Sequence, residues 1–297
     1  MAITNLQSIL SGTSAQLTEL APTTFAIDVE KAARNELQWD RIIRMHQFTA
    51  PGLTRNINNV DAVTMSVKTA DTTDGYQPNP VALNTNARAT TVTAKVVDIW
   101  IAIDAIIAAS SDAPALAKDT MTAAYVVRKN SDVMAVYSDG LTQLSLANYT
   151  YEAAFLAPYS TLQGYSVRGP VHWVIPSVDT DQLYAIPQFS QAQQYGRSTL
   201  AETGDIEMAF TGLRPLNVSI WHCPDYTSSG GYNWGMMFSS KAIEYQDKMP
   251  LTIGVNDAEL LVGKRALQIG ATCFYSVVGT RESAGNNKWI VGVGAAA

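Results

Sequence analysis

The stretch Ala89-Thr90-Thr91-Val92-Thr93-Ala94-Lys95-Val96-Val97 constrains this chain more than any other. Its β-branched and small residues favour an extended strand. A second run of similar character follows the Pro51-Gly52 break and includes Val60, Ala62, Thr64 and Ser66. Between them lies Asp71-Thr72-Thr73-Asp74-Gly75-Tyr76-Gln77-Pro78-Asn79-Pro80, polar and rich in turn formers. The pattern predicts a long two-stranded arm with a polar tip. Such a ribbon is marginally stable alone in water, so something else must pack on it.

The rest of the chain is large enough to supply a core. Its 297 residues suit one large domain or two medium ones. A chain of this size buries roughly 75 % of its unfolded surface without help from a metal or disulfide. Charged residues make up only 15 %, against about 25 % in an average domain. Interface cores are depleted in charge, so the shortage points to surface covered by partners. The net charge of −6 is spread evenly, with 14 acids and 11 bases in residues 1–150 and 12 acids and 9 bases in residues 151–297. A nucleic-acid reader carries a basic face or domain. Its absence argues against tight nucleic-acid binding and leaves enclosure of nucleic acid open.

Two cysteines, Cys223 and Cys273, are too few for a disulfide framework and fit a reducing cytoplasm. The start Met1-Ala2-Ile3-Thr4 lacks a signal-peptide pattern. No run approaches 18 apolar residues, and Asp104 interrupts the stretch from Ile99 to Ala109. No membrane span is expected.

Around the ribbon, periodicity alternates between helix and strand. Asp28 is expected to cap a helix with apolar positions Val29, Ala32, Ala33, Leu37 and Ile43, supported by Glu30 with Arg34 and Asp40 with Arg44 at i,i+4. Asp98 to Ser110 reads as a mostly apolar helix. Asp112 and Pro114 then start another, running toward Gly140 with Ala113, Leu116, Ala117, Ala124, Val127, Met134 and Ala135 on one face. At 1.5 Å per residue, such a helix spans roughly 39 Å. A helix is expected over Thr150 to Leu162, a strand over Val171 to Pro176, a helix over Thr180 to Ile186 and a strand over Val218 to Trp221. Ser228-Ser229-Gly230-Gly231 reads as a loop. Met236 to Phe238, Leu251 to Val255, Ala266 to Val278 and Trp289 to Val293 read as strands.

Catalytic constellations are not apparent. His46, His172 and His222 are widely separated and fit no metal-ligand spacing. His172, beside Trp173, reads as a packed or hydrogen-bonded histidine. His222-Cys223 has no second ligand pair for zinc, and neighbours on a strand point to opposite faces, which disfavours a Cys–His nucleophile. Asp179-Thr180-Asp181 reads as a helix cap before a cation site. No P-loop or G-x-S-x-G elbow occurs. Lys31, Arg34, Arg41 and Arg44 allow two readings: a solvated helix face, or contact with a neighbouring subunit or an internal polyanion.

The order of elements resembles the Hong Kong 97-like fold of tailed-phage major capsid proteins. The stretch Thr91 to Ile103 is similar to that family's exit from its extended loop. Ser110-Ser111-Asp112-Ala113-Pro114-Ala115-Leu116 resembles the entry to its spine helix, and Arg128 to Met134 with Asp139-Gly140 resembles the end. Met236 to Ile243 and Gln268 to Tyr275 are similar to its closing strands.

The resemblance implies an α+β fold with an N-terminal arm over 1–50, an extended β-ribbon loop over 51–97 and a peripheral domain with spine helix over 98–140. An axial domain over 141–235 and peripheral closing strands over 236–297 complete it. It implies a major capsid protein that assembles as pentamers and hexamers into an icosahedral shell around double-stranded DNA, without enzymatic activity, catalytic residues, cofactor or metal. Implied partners are copies of itself, a separate scaffolding protein, a portal and a decoration protein, in a virion assembled in the host bacterial cytoplasm. Arg34, Arg41, Arg44, Lys68 and Arg88 are the expected assembly contacts. Lys68 also reads as a free solvated lysine, since no motif identifies a crosslinking partner. An encapsulin-type nanocompartment enclosing cargo enzymes is the alternative.

Overall fold

A computed structural model describes residues 22–37, 39–49, 51–60, 85–102, 112–165, 167, 169–190, 218–261, 264–280 and 286–297. Its longest feature is a hairpin of β10 (Ile243–Leu261) and β11 (Lys264–Gly279), paired antiparallel from Ile243↔Gly279 to Leu261↔Lys264. At about 3.3 Å per residue, β11 reaches roughly 50 Å. β4 (Thr93–Ala102) lies antiparallel along β11, and β1 (Arg44–Gln47) runs parallel to β10. The four-stranded order is β1-β10-β11-β4.

Two helices pack on this sheet: α1 (Pro22–Glu36) and α2 (Asp112–Met134). Between helices and sheet lie Val29, Ala33, Trp39, Ile42, Met121, Val133, Ile253, Ile269 and Tyr275, all buried. A 3-10 turn over Ala135–Asp139 ends α2, and β5 (Gly140–Leu146) follows directly.

A second, six-stranded sheet has the order β5-β12-β9-β6-β7, using β6 (Val171–Pro176), β7 (Val218–Cys223), β9 (Tyr232–Ser239) and β12 (Asn287–Ala296); β8 (Thr227–Ser229) pairs β9. The central strands β6 and β9 are buried along nearly their whole length because both faces are covered, while the edge strand β5 alternates between buried or half-buried and exposed positions. Trp234, Met236, Phe238 and Ile290 join the core under α2, while Met237, Val291 and Val293 face a second core. That second core gathers Phe155, Leu162, Trp173, Leu183 and Phe189. It is roofed by a π-helical turn (Tyr151–Leu156), α3 (Ala157–Gly164), α4 (Thr180–Ala185) and α5 (Pro187–Ser190). The side chain of Thr150 caps this segment by accepting from the Ala153 amide at 3.2 Å.

The ribbon forms at its base, where β2 (Thr54–Val60) pairs antiparallel with β3 (Thr85–Thr91). Of its expected second strand, Ala89 to Val97, the part from Thr93 onward is a correction: it leaves the ribbon and joins β4 against β11. The expected polar tip, Asp71 to Pro80, lies outside the described residues. So does most of the second half of the expected helix at Asp98 to Ser110. Its first half is a correction: Asp98 to Ala102 continue β4 against β11. The β-branched run before them extends the strand, and pairing with β11 overrides the helical pattern.

Other expectations shift in detail. Asp28 does not begin a helix: α1 starts six residues earlier, and Asp28 sits inside it 3.9 Å from Lys118 of α2. The helix also stops at Glu36, so Asp40 and Arg44 are not a helical pair; Asp40 lies in a 3-10 turn and Arg44 in β1. Of the expected helical face, Ala117 and Met134 are buried and Ala124 is half-buried, but Val127 and Ala135, the latter already in the 3-10 turn, are exposed. The buried stripe instead runs through Ala117, Met121, Val126, Asn130 and Val133, including a polar residue that periodicity passes over. Ser228 to Gly231 is not a loop but a β-hairpin. Gly230 (φ +62°) and Gly231 (φ +78°) supply the two left-handed residues of its tight turn.

Candidate assembly surfaces

Where α2 meets the four-stranded sheet, the contact is polar and aromatic. Asp132 accepts from the Tyr275 hydroxyl at 2.9 Å and pairs with Lys95 at 3.2 Å and Arg128 at 3.1 Å. Lys129 lies over the rings of Tyr125 (4.2 Å), Tyr245 (4.9 Å) and Tyr275 (5.8 Å), an arrangement favoured by the negative ring face. Burial pushes the phenols of Tyr245 and Tyr275 well up, and the nearby Asp132 adds to the effect at Tyr275. These tyrosines stay neutral and act as walls and donors, not acids. A cleft of about 230 Å³ opens beside Lys129, between Glu30, Trp39, Asp40 and Met45. Glu30 reaches across from α1 to accept from the Leu251 amide of β10 at 2.9 Å, and the side chain of Arg34, its expected helical partner, lies outside the described residues.

The ribbon base forms a second polar joint. Arg55 of β2 pairs with Glu244 of β10 at 3.0 Å, and the Gln246 amide donates to the same carboxylate oxygen at 3.2 Å. Thr90 of β3 meets Ser276 of β11 at 3.3 Å. Arg55 and Glu244 carry no sequence signature, because they are 189 residues apart.

The expected assembly residues fall in different places. Arg41 and Arg44 are exposed, in the 3-10 turn and on β1, close in sequence to the exposed Met45. Arg34 lies in α1 and Arg88 in β3 opposite Ile57, but their side chains are outside the described residues. Lys68 lies outside them altogether. The structure therefore brings Arg41 and Arg44 onto one open segment and does not test the other three. Lys31 is exposed on α1.

The residues with chemical potential are engaged structurally. His172 is buried; the Trp221 indole donates to its Nδ1 at 3.3 Å, and Phe238 packs against its ring at 5.9 Å. Cys223 is fully buried in the core under α2, while half-buried His222 follows the strand alternation to the other side. Burial pushes the Cys223 thiol up to about 12 and the Cys273 thiol to about 11, far from a nucleophile's range. Asp179 precedes α4, but its side chain does not cap it. It is buried and accepts from Gln182 Nε2 at 3.3 Å, and desolvation pushes its carboxyl up. Asp181 accepts from the Gln182 amide at 2.8 Å. Among the described residues no group of three or more His, Cys, Asp or Glu could hold a metal ion, and no helix is long and apolar enough to cross a membrane.

No family model and no curated protein matches this sequence. Solved structures do match its fold. The capsid of cyanophage P-SCSP1u aligns over 86 % of this chain and 86 % of its own, with a TM-score of 0.59 at 11 % identity. The cyanophage Pam1 capsid asymmetric unit aligns over 88 % of this chain and 92 % of its own, with a TM-score of 0.61 at 10 % identity. A virus-like particle from Pyrococcus furiosus aligns over 91 % of this chain and 98 % of its own, with a TM-score of 0.59 at 9 % identity. The likeness covers 86–91 % of the chain: this chain has the Hong Kong 97-like capsid fold.

Proposed function

We propose that this chain is a major capsid protein, assembling as pentamers and hexamers into an icosahedral shell that encloses double-stranded DNA. The observation that carries this reading is the near full-length likeness to phage capsid subunits. Two further features support it. The ribbon base stands on the sheet through a mainly polar joint and extends a two-stranded arm that is marginal alone. The charge-poor composition suits a subunit whose surface is reused against copies of itself.

In this reading residues 1–50 are the arm, 51–97 the extended loop, 98–140 with 236–297 the peripheral domain, and 141–235 the axial domain. Arg41 and Arg44, with Arg34, Lys68 and Arg88, contribute assembly contacts. A separate scaffolding protein, a portal and a decoration protein complete the particle. Its function is structural, the virion is its location, and assembly takes place in the host bacterial cytoplasm. An acidic subunit encloses DNA without holding it through phosphate contacts.

The likeness to the Pyrococcus furiosus virus-like particle favours a second reading, an encapsulin-type compartment around cargo enzymes. Negative-stain microscopy with sedimentation, on the purified chain alone and with a candidate scaffold, tests both. Closed shells or rings of five and six subunits are expected. Nuclease-protected DNA inside indicates a capsid, and protein cargo the compartment. A monomer of about 32 kDa under every condition overturns both readings.

A further inference from the structure

We propose that the Arg55–Glu244 ion pair is a releasable latch that sets the angle of the β2–β3 ribbon against the four-stranded sheet. The latch works within one chain, so it goes beyond the shell reading and does not depend on it.

The ribbon is joined to the sheet by two narrow connections. On one side the chain passes from β3 to β4 through Val92 alone, which is buried and donates its amide to the Leu53 carbonyl at 2.8 Å. On the other side it leaves β1 through a short link containing Gly52 at φ +88°, a backbone state that favours glycine. Val92 and Gly52 form a pivot. Among the described residues of the ribbon and its pivot, Ile57 and Val92 are the buried apolar side chains.

The described side-chain contacts between ribbon and sheet include the Arg55–Glu244 pair and Thr90 with Ser276. Alternation along β10 puts Glu244 and Gln246 on one face, away from Tyr245 and the Lys129 cleft. Arg55 approaches that face with its side chain 28 % exposed, while Glu244 is 11 % exposed and Gln246 is fully buried. Exposed Arg44 stands opposite Glu244 in the β1 register. Closing the latch satisfies a largely buried carboxylate, which favours the closed ribbon. Opening lets water reach both charges, so neither is left buried without a partner, and the cost stays below that of deleting one member of a buried pair. With the catch open, the ribbon loses the sheet that supports it and frays, because a two-stranded ribbon is marginally stable alone; a hydrophobic weld at the same place would hold it.

Hydrogen exchange on the unassembled chain tests this. Arg55→Gln and Glu244→Gln are each expected to speed exchange of the amides in 54–60 and 85–91 about 10-fold, while 232–239 and 287–296 keep wild-type rates. The reversed pair Arg55→Glu/Glu244→Arg is expected to recover to within about 3-fold of wild type. Raising salt from about 0.05 to about 0.5 M is expected to speed ribbon exchange in wild type and not in Arg55→Gln. Unchanged ribbon exchange in both single variants overturns the latch, as does a reversed pair that fails to recover. If the variants loosen the whole sheet, the wild-type salt series decides, and a flat response overturns the proposal. A chain that never assembles leaves this measurement intact, so failure of the shell reading is separable from failure of the latch.

Discussion

Trp39 donates its indole N–H to the side-chain oxygen of Asn130 at 2.7 Å, across 91 residues of chain. The amide nitrogen of the same Asn130 donates to Asp225 at 2.8 Å. One buried side chain near the C-terminal end of α2 thus ties the turn after α1 to the loop after β7. Asparagine inside a helix is normally unfavourable. Here it is the residue that joins three distant segments.

Asn130→Ala is therefore expected to destabilise the fold by about 3 kcal/mol, because it strands a buried indole N–H and a carboxylate together. Urea titration gives the value. A loss below about 1 kcal/mol would falsify the tie.

Two glycines should respond oppositely to a methyl group. A Cβ on Gly235 of β9 would sit 2.5 Å from the Val174 carbonyl oxygen and 3.1 Å from Pro176 Cδ, so backbone in the central sheet must move. Gly235→Ala is expected to cost about 2–3 kcal/mol. A Cβ on Gly254 of β10 meets nothing within 4 Å, so Gly254→Ala is expected to be neutral or stabilising by a few tenths of a kcal/mol. Equal melting temperatures for the two variants would contradict this assignment.

The thiols should be slow. With the Cys223 thiol held at about 12 and Cys273 at about 11, thiolate at pH 8 is depleted roughly 1000-fold and 100-fold against ordinary cysteine. Reaction with a disulfide reagent is expected to be near zero in the native chain and complete in denaturant. Fast native labelling of either residue would rule out its placement.

Asp179 gives a pH signature. Its folded carboxyl is raised above the ordinary 3.8, chiefly by desolvation. The native state therefore binds the extra proton, and stability falls as pH rises from the ordinary value through the folded one, then levels off. Asp179→Asn is expected to flatten that decline in urea midpoints measured between about pH 4 and pH 7. An unchanged slope would show that another group is responsible.

Much of the architecture was legible because its signals are local. The β-branched run around Val92, the helix beginning near Thr150 and the apolar strand at Val171 to Pro176 each announce their own conformation. What stayed hidden depends on partners far along the chain. Asp98 to Ala102 reads as helix until β11 is beside it. Asn130 looks misplaced until Trp39 and Asp225 meet it. Arg55 and Glu244 belong to no motif, since an ion pair made by folding leaves no spacing to read. The Gly230-Gly231 turn was visible in sequence, but its neighbouring serines masked the hairpin.

β12 sits between β5 and β9, parallel to the first and antiparallel to the second. Its partners leave the ribosome about 50 to 150 residues before it does. Among the described strands, β5 has no neighbour in its sheet and β9 keeps one open, apolar flank until residue 296 emerges. The sheet cannot close during synthesis of the segments that make up most of it. A chain halted between 240 and 286 would display that flank permanently, a ready target for chaperones and proteases. Translation itself thus becomes an inspection step: only a polypeptide read through to β12 can present a finished subunit.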